Sequence, residues 1–142
     1  MNVISDNGIS RIVGNGVWVY KTQPKFLCDN EIWCLKTLYP SGYVPYAEQT
    51  DIECIRLRHI EQSPVTDIDL LAYHFDKILK ALEIAGIRHG DATRPNILIR
   101  DNHPYLIDFS ESRLKCDPRP SKRPESDEYW LKRTLDEIAA IA

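Results

Sequence analysis

His89-Gly90-Asp91-Ala92-Thr93-Arg94-Pro95-Asn96-Ile97-Leu98-Ile99-Arg100, followed after a turn by Tyr105-Leu106-Ile107-Asp108-Phe109-Ser110, is the stretch from which the fold can be read. Ile97–Arg100 and Tyr105–Ile107 are apolar runs, and Asp101–Pro104 between them carries turn-forming residues, so the pair reads as a short hairpin. Ahead of it, Thr66 or Asp67 opens a long helix in which Leu71, Phe75, Ile78, Leu82 and Ala85 recur at steps of three and four, with Gly86 as the C-cap. Asp91 then falls in the loop after the helix, Asn96 just before the first strand, and Asp108 at the end of the second. A hairpin folds back on itself, so Asn96 and Asp108 share one end. Three oxygen-bearing side chains converge on one small volume.

Oxygen ligands of this kind suit a hard divalent cation beside nucleotide phosphates, and a further carboxylate suits the orientation of an attacking hydroxyl. Singly the pieces are weak: an Asp after a helix is more often a cap, and Asp-Phe-Ser recurs by chance. The joint pattern, HGD-x4-N followed by a hairpin and LIDFS, is far more specific. It resembles the catalytic loop and metal-binding motif of the protein-kinase-like superfamily. The HGD form is similar to that of small-molecule phosphotransferases, lipopolysaccharide kinases and compact atypical serine/threonine kinases. The resemblance implies ATP and Mg²⁺ as cofactors, Asp91 as the base that orients an acceptor hydroxyl, and Asn96 and Asp108 as metal ligands.

The N-terminal part is strand-rich. Ile9–Val13 and Val17–Lys21 join through Gly14-Asn15-Gly16, a hairpin-turn signal. Asp29 is placed to cap a helix running to about Leu38, and Tyr46–Thr50 and Glu53–Ile60 read as another strand pair. Trp18-Val19-Tyr20-Lys21 resembles the kinase strand whose lysine contacts the α- and β-phosphates, and Glu31 resembles the helix carboxylate that pairs with it. The resemblance further implies an adenine pocket covered by Ile12 and Val19, floored by Leu98 and edged by backbone groups of Arg58, His59 and Ile60. His89, Phe109 and Leu35 would be core elements without a chemical role.

The fold class expected is therefore α+β: a bilobal kinase-like domain over residues 1–142. A small antiparallel-sheet lobe with one helix spans about 1–60, a hinge about 58–64, and a truncated helical lobe about 65–142. Glu111–Glu125, with three prolines, reads as irregular, and Ser126 can cap a last helix carrying Trp130, Leu131, Leu135 and Ile138.

The pattern departs from the family in several places. Of the glycine-rich loop only Gly8 remains, within Ser5–Ile12, so Asn7 and Gly8 are left to meet the phosphates through backbone N–H groups. Thr93 stands where serine/threonine kinases often have Lys, and Arg94 beside it is a candidate substitute for pairing with the transferred phosphate. Ser110 replaces the glycine after Asp108-Phe109, and Gly90 replaces the arginine that meets a phosphorylated activation loop. Asp127 resembles the Asp that bonds the catalytic-loop backbone. With no A-P-E segment, a peptide-docking platform is not expected. These features define a second reading, a weak or inactive pseudokinase that serves as a nucleotide- or protein-binding module.

Composition narrows the classes. A hydrophobic share of 43% with 27% charged residues is ordinary for a globular domain, and a net charge of −3 argues against direct nucleic-acid binding. The basic stretch Arg113–Arg123, broken by Asp117, Pro118 and Pro120, reads as a solvated loop. Four cysteines without knuckle spacing read as reduced thiols. No signal-peptide pattern or membrane-spanning run is seen, so the location expected is cytoplasmic. The partners expected are ATP, a hydroxyl-bearing protein or small molecule as acceptor, and a possible protein that covers the short helical lobe.

Overall fold

A computed structural model describes residues 2–141. Its N-terminal lobe is a five-stranded antiparallel sheet of β1 (Asn2–Asp6), β2 (Arg11–Gly14), β3 (Trp18–Thr22), β4 (Ala47–Asp51) and β5 (Cys54–Arg58), in the order β1-β2-β3-β5-β4. Ile12 and Ile55 lie opposite Lys21, and Gly14 and Leu57 lie opposite Val19. Because side chains alternate along a strand, Ile12, Val19 and Lys21 share the face that buries Ile55 and Leu57. The outer face carries Trp18, with the Arg56 guanidinium 4.0 Å from its ring centre.

Between β3 and β4, α1 (Lys25–Leu38) packs against β4 and β5. The reading that gave Asp29 the cap is corrected: the cap is Pro24, five residues earlier, and the helix begins at Lys25. Pro24 is the N-cap, its carbonyl accepting the Leu27 and Cys28 N–H groups, and the added turn buries Cys28. A second correction is β1, a fully exposed strand on the stretch expected to begin the phosphate loop. The first hairpin turns at Asn7–Ser10, so β2 begins at Arg11 and not at Ile9.

The helical lobe opens with α2 (Ile68–Ala85), capped by Asp67, whose Oδ1 accepts the Leu70 N–H at 3.0 Å. Gly86 at φ 68° ends it, the left-handed conformation that glycine adopts without steric cost. Then come β6 (Ile87–Arg88), the hairpin of β7 (Ile97–Arg100) and β8 (His103–Leu106), β9 (Arg113–Leu114) pairing with β6, and α3 (Asp127–Ile141). Asp101 and Asn102, at φ 52° and 61°, make the β7–β8 turn, and Asn102 Oδ1 accepts the Thr66 and Asp67 N–H groups ahead of α2. Ser126 Oγ accepts the Tyr129 N–H at 3.1 Å, as a helix cap does.

One core joins the lobes. Leu38 and Val44 meet Ile78, Leu82, Leu106 and Phe109, and Phe109 is wholly buried. Each such side chain stabilises the fold by about 1.5–3 kcal/mol through burial. Tyr43 adds a polar tie: its carbonyl accepts the Leu106 N–H at 2.8 Å, its hydroxyl meets His74 Nδ1 at 2.8 Å, and its ring stacks on His103. The four cysteines are free thiols, and burial pushes Cys34 up to about 12. Among the described residues, no helix is long and apolar enough to cross a membrane.

Candidate active site

The alternation of β3 turns Lys21 inward, where it is 6% exposed. Its Nζ lies 2.9 Å from Glu31 Oε1 on α1 and 2.9 Å from Asp108 Oδ1 after β8. A buried ammonium needs such partners, since desolvation of an unpaired charge is costly. Burial alone would lower the Lys21 pKa, but the two carboxylates outweigh it and leave it raised. Burial would likewise raise Asp108, yet Lys21 outweighs it and holds that carboxyl below the usual range.

Glu31, 1% exposed, fixes more than the lysine. Its Oε1 accepts Gln23 Nε2 at 2.9 Å, and its Oε2 accepts the Phe109 N–H at 3.1 Å. One residue before it, Asn30 Nδ2 donates to the carbonyls of Phe109, Ser110 and Ser112 at 3.2, 2.9 and 2.8 Å. Asp108 itself sits at φ 65°, an uncommon conformation for a non-glycine residue, and this network holds it there.

The catalytic-loop candidate is fixed from below. Asp127, at the start of α3, accepts the His89 N–H at 2.8 Å and the Gly90 N–H at 2.9 Å. His89 Nε2 donates to Ile107 O at 2.7 Å while Nδ1 accepts the Asp91 N–H, which defines a neutral imidazole carrying its proton on Nε2. Its ring meets Phe109 edge to face. Asn96 Nδ2 donates to the Asp91 carbonyl at 2.9 Å and to its Oδ2 at 3.2 Å. Asn96 Oδ1 and Asp108 Oδ2 hold no hydrogen bond among the described residues. Asp91, Asp108, Ser110 and Lys122 line one narrow cleft together with His89 and Glu111.

The end of the basic stretch corrects the expectation of a solvated loop. Arg123 Nε donates to Asp91 Oδ1 at 2.9 Å, and Lys122 Nζ lies 3.4 Å from Oδ2. The Arg94 guanidinium lies 3.9 Å from Glu137 on α3, where Thr93 is extended and Arg94 begins a 3₁₀ turn.

On the nucleotide side the expected residues are only partly assembled. Ile12 and Val19 share the face of Lys21. Arg58 and His59 use their N–H groups within the sheet, on Tyr46 O and Val17 O, so these donors are not offered to a base; β5 continues its pairing that far. Leu98 lines a separate cavity of about 580 Å³ with Gln62–Val65, Arg94, Pro95 and residues of α3, which Ile12 and Val19 do not bound. In the first hairpin the Gly8 N–H goes to Asp6 Oδ1, and the Ile9 and Ser10 N–H groups go to Asn7 Oδ1. The loop donors expected to meet phosphate are satisfied internally.

Asn30, Gln23, Lys122 and Arg123 were not anticipated. Asn30 directly precedes Glu31, but nothing in its local pattern marks a bond to a turn some eighty residues away, and Gln23 reaches Glu31 from ahead of the helix. The Lys-Arg pair was visible only as charge.

No family model matches the sequence, and no curated protein matches it. Solved structures do. The chain superposes on the streptomycin–ATP ternary complex of the aminoglycoside phosphotransferase APH(2")-IIa with a TM-score of 0.67 at 12% identity, covering 97% of this chain and 76% of that one. It superposes on the Rio2 kinase from Chaetomium thermophilum with a TM-score of 0.68 at 19% identity, covering 99% of this chain and 56% of that one. The fold is protein-kinase-like, α+β and bilobal.

Proposed function

We propose that the chain is an ATP-dependent phosphotransferase that moves the γ-phosphate to a hydroxyl acceptor. The observation that carries the reading is Lys21, buried between Glu31 and Asp108, with Asp108 lining one cleft together with Asp91. Structural likeness to a phosphotransferase and a kinase supports it. Lys21 would hold the α- and β-phosphates, Asp91 would orient the acceptor hydroxyl and take its proton, and Ile12 and Val19 would cover the base. The catalytic effect would lie in positioning and charge complementarity.

The free oxygens of Asn96 and Asp108 fit Mg²⁺, which prefers few protein ligands and completes its shell with water and phosphate. When bound, the ion would neutralise phosphate charge. Asp108 would keep one oxygen on Lys21 and offer the other.

The test is Mg·ATP-dependent thermal stabilisation together with transfer of labelled γ-phosphate to acceptor, protein or water. Asp91→Asn should abolish transfer and keep the stabilisation. Absence of stabilisation by any nucleotide would sink the reading. A second reading, a nucleotide-binding module without transfer, is favoured by the cations on Asp91 and the self-satisfied hairpin. It predicts stabilisation with no transfer from the wild-type chain.

A further inference from the structure

Asp91 has both carboxylate oxygens engaged. Oδ1 accepts Arg123 Nε at 2.9 Å, while Oδ2 accepts Asn96 Nδ2 at 3.2 Å and lies 3.4 Å from Lys122 Nζ. The segment that brings both cations is tied along its length. β9 pairs with β6, the Lys115 N–H donates to Gly86 O, Arg113 Nε donates to Pro120 O, and Arg88 Nη2 donates to Arg119 O. The Arg123 N–H closes the strap on Gly90 O at 2.9 Å. Gly90 makes room for it: a Cβ there would stand 2.9 Å from Ser121 Cβ.

This strap meets a need left open by the catalytic loop, which sends no cation into the cleft. Thr93 has no charge, and Arg94 leans on Glu137. Lys122 does line the cleft, facing Asp91, Asp108 and Ser110, whereas Arg123 does not. The two cations also differ in tether. Arg123 is fixed by its own backbone bond and a short guanidinium contact. Lys122 carries a compact ammonium on a flexible stem, half-exposed, at the longer distance.

We propose that Lys122 is the phosphate-binding cation of the transfer site. It rests on Asp91 Oδ2 in the free chain and moves to the γ-phosphate of bound ATP, while Arg123 holds Asp91 in place. The proposal rests on the phosphotransferase reading. In the step, the acceptor oxygen bonds to the γ-phosphorus, and the bond from that phosphorus to the β–γ bridging oxygen breaks with its electron pair leaving on ADP. The acceptor proton goes to Asp91 Oδ2, which Lys122 has left. ATP therefore uncovers the base, and ADP does not.

The test compares wild type with Lys122→Ala, Lys122→Arg and the exposed-lysine control Lys132→Ala. Calorimetry with Mg²⁺ measures affinity for ADP and for a non-hydrolysable ATP analogue, and labelled γ-phosphate measures turnover. In Lys122→Ala, affinity for the analogue should fall about tenfold while that for ADP stays within about twofold, the loss expected for one charge-assisted contact. Turnover should fall by about tenfold or more, Lys122→Arg should recover part of both, and Lys132→Ala should match wild type. An unchanged analogue-to-ADP ratio, or turnover that holds or rises in Lys122→Ala, overturns the proposal. A wild-type chain that binds neither nucleotide overturns it together with the phosphotransferase reading. One that binds both without transfer removes that reading and the transfer step with it, and the affinity ratio still decides whether Lys122 meets the γ-phosphate.

Discussion

Around Asp108 the chain is held by side chains from distant elements: Glu31 and Asn30 from α1, Lys21 from β3, with Asp127 of α3 fixing the neighbouring His89–Asp91 loop. The Asp6–Ser10 hairpin is held only by its own residues, Asp6 and Asn7, and stands exposed at the end of the sheet. Both regions are turns held by side-chain hydrogen bonds. The difference is range. Long-range bonds couple the Asp108 turn to global folding, whereas local ones let the hairpin open by itself. The Asp108 turn is preorganised; the hairpin stands apart from that network.

The sharpest way to break this contrast is Glu31→Ala, which strands the buried Lys21 ammonium and the Phe109 N–H. It should cost about 3–5 kcal/mol in urea unfolding, the range for removing one partner of a buried pair. A loss below about 1 kcal/mol would mean that the network is no more coupled than the hairpin. Asn30→Ala should come next. It removes the donor to three carbonyls and should cost about 1–3 kcal/mol, with faster amide exchange over residues 109–112 as its local signature.

Acid sharpens the comparison further. The folded-state pKa of Asp108 is depressed, so its stabilising contribution is present above the ordinary carboxylate value of about 4 and is lost as pH falls through the lower folded value. Lys21 is raised, so its contribution is present below the ordinary lysine value and is lost as pH rises through the higher folded value. A Lys21/Asp108 double-mutant cycle should give a coupling that is flat between about pH 5 and about pH 9 and falls on the acid side below about pH 4. The smallest effect belongs to the hairpin. Asn7→Ala should cost only about 0.5–1 kcal/mol, as for a lost local side-chain–backbone bond, and should change Mg·ATP affinity by less than about threefold. A tenfold loss of affinity would give the hairpin a gripping role.

What the sequence made legible divides along the same line. The stripe of α2, its Asp67 and Gly86 caps and the β7–β8 hairpin follow from periodicity and turn chemistry, which act within a few residues. Lys21, Glu31, Asp91 and Asn96 were legible as an ordered motif, and the structure brings Lys21, Glu31 and Asp108 into contact. Asn30 was not, because a side chain that bonds carbonyls across the molecule has no local signature. β1, β6 and β9 are too short or too exposed to carry an alternation, and β9 exists because it pairs with β6. Lys122 and Arg123 read as solvated charge, since their partner, Asp91, becomes a neighbour only after the strap is tied down. Pro24 was an overlooked local boundary, for its carbonyl accepts the first N–H groups of the helix one turn ahead of Asp29.

The turn at Asp108-Phe109-Ser110 also bears on which inhibitors could act here. A ligand that filled the space of the Phe109 ring would need that ring to swing outward first. Here Phe109 is fully buried, its N–H is held by Glu31 and its carbonyl by Asn30, and the residue that follows is serine. Exposing one such ring and breaking two such bonds costs about 4 kcal/mol. Only about one molecule in a thousand would then present the open form, and a ligand selecting it would bind about a thousandfold more weakly than its intrinsic affinity. Compounds shaped to the closed cleft, with an anionic group directed at Lys122, face no such penalty.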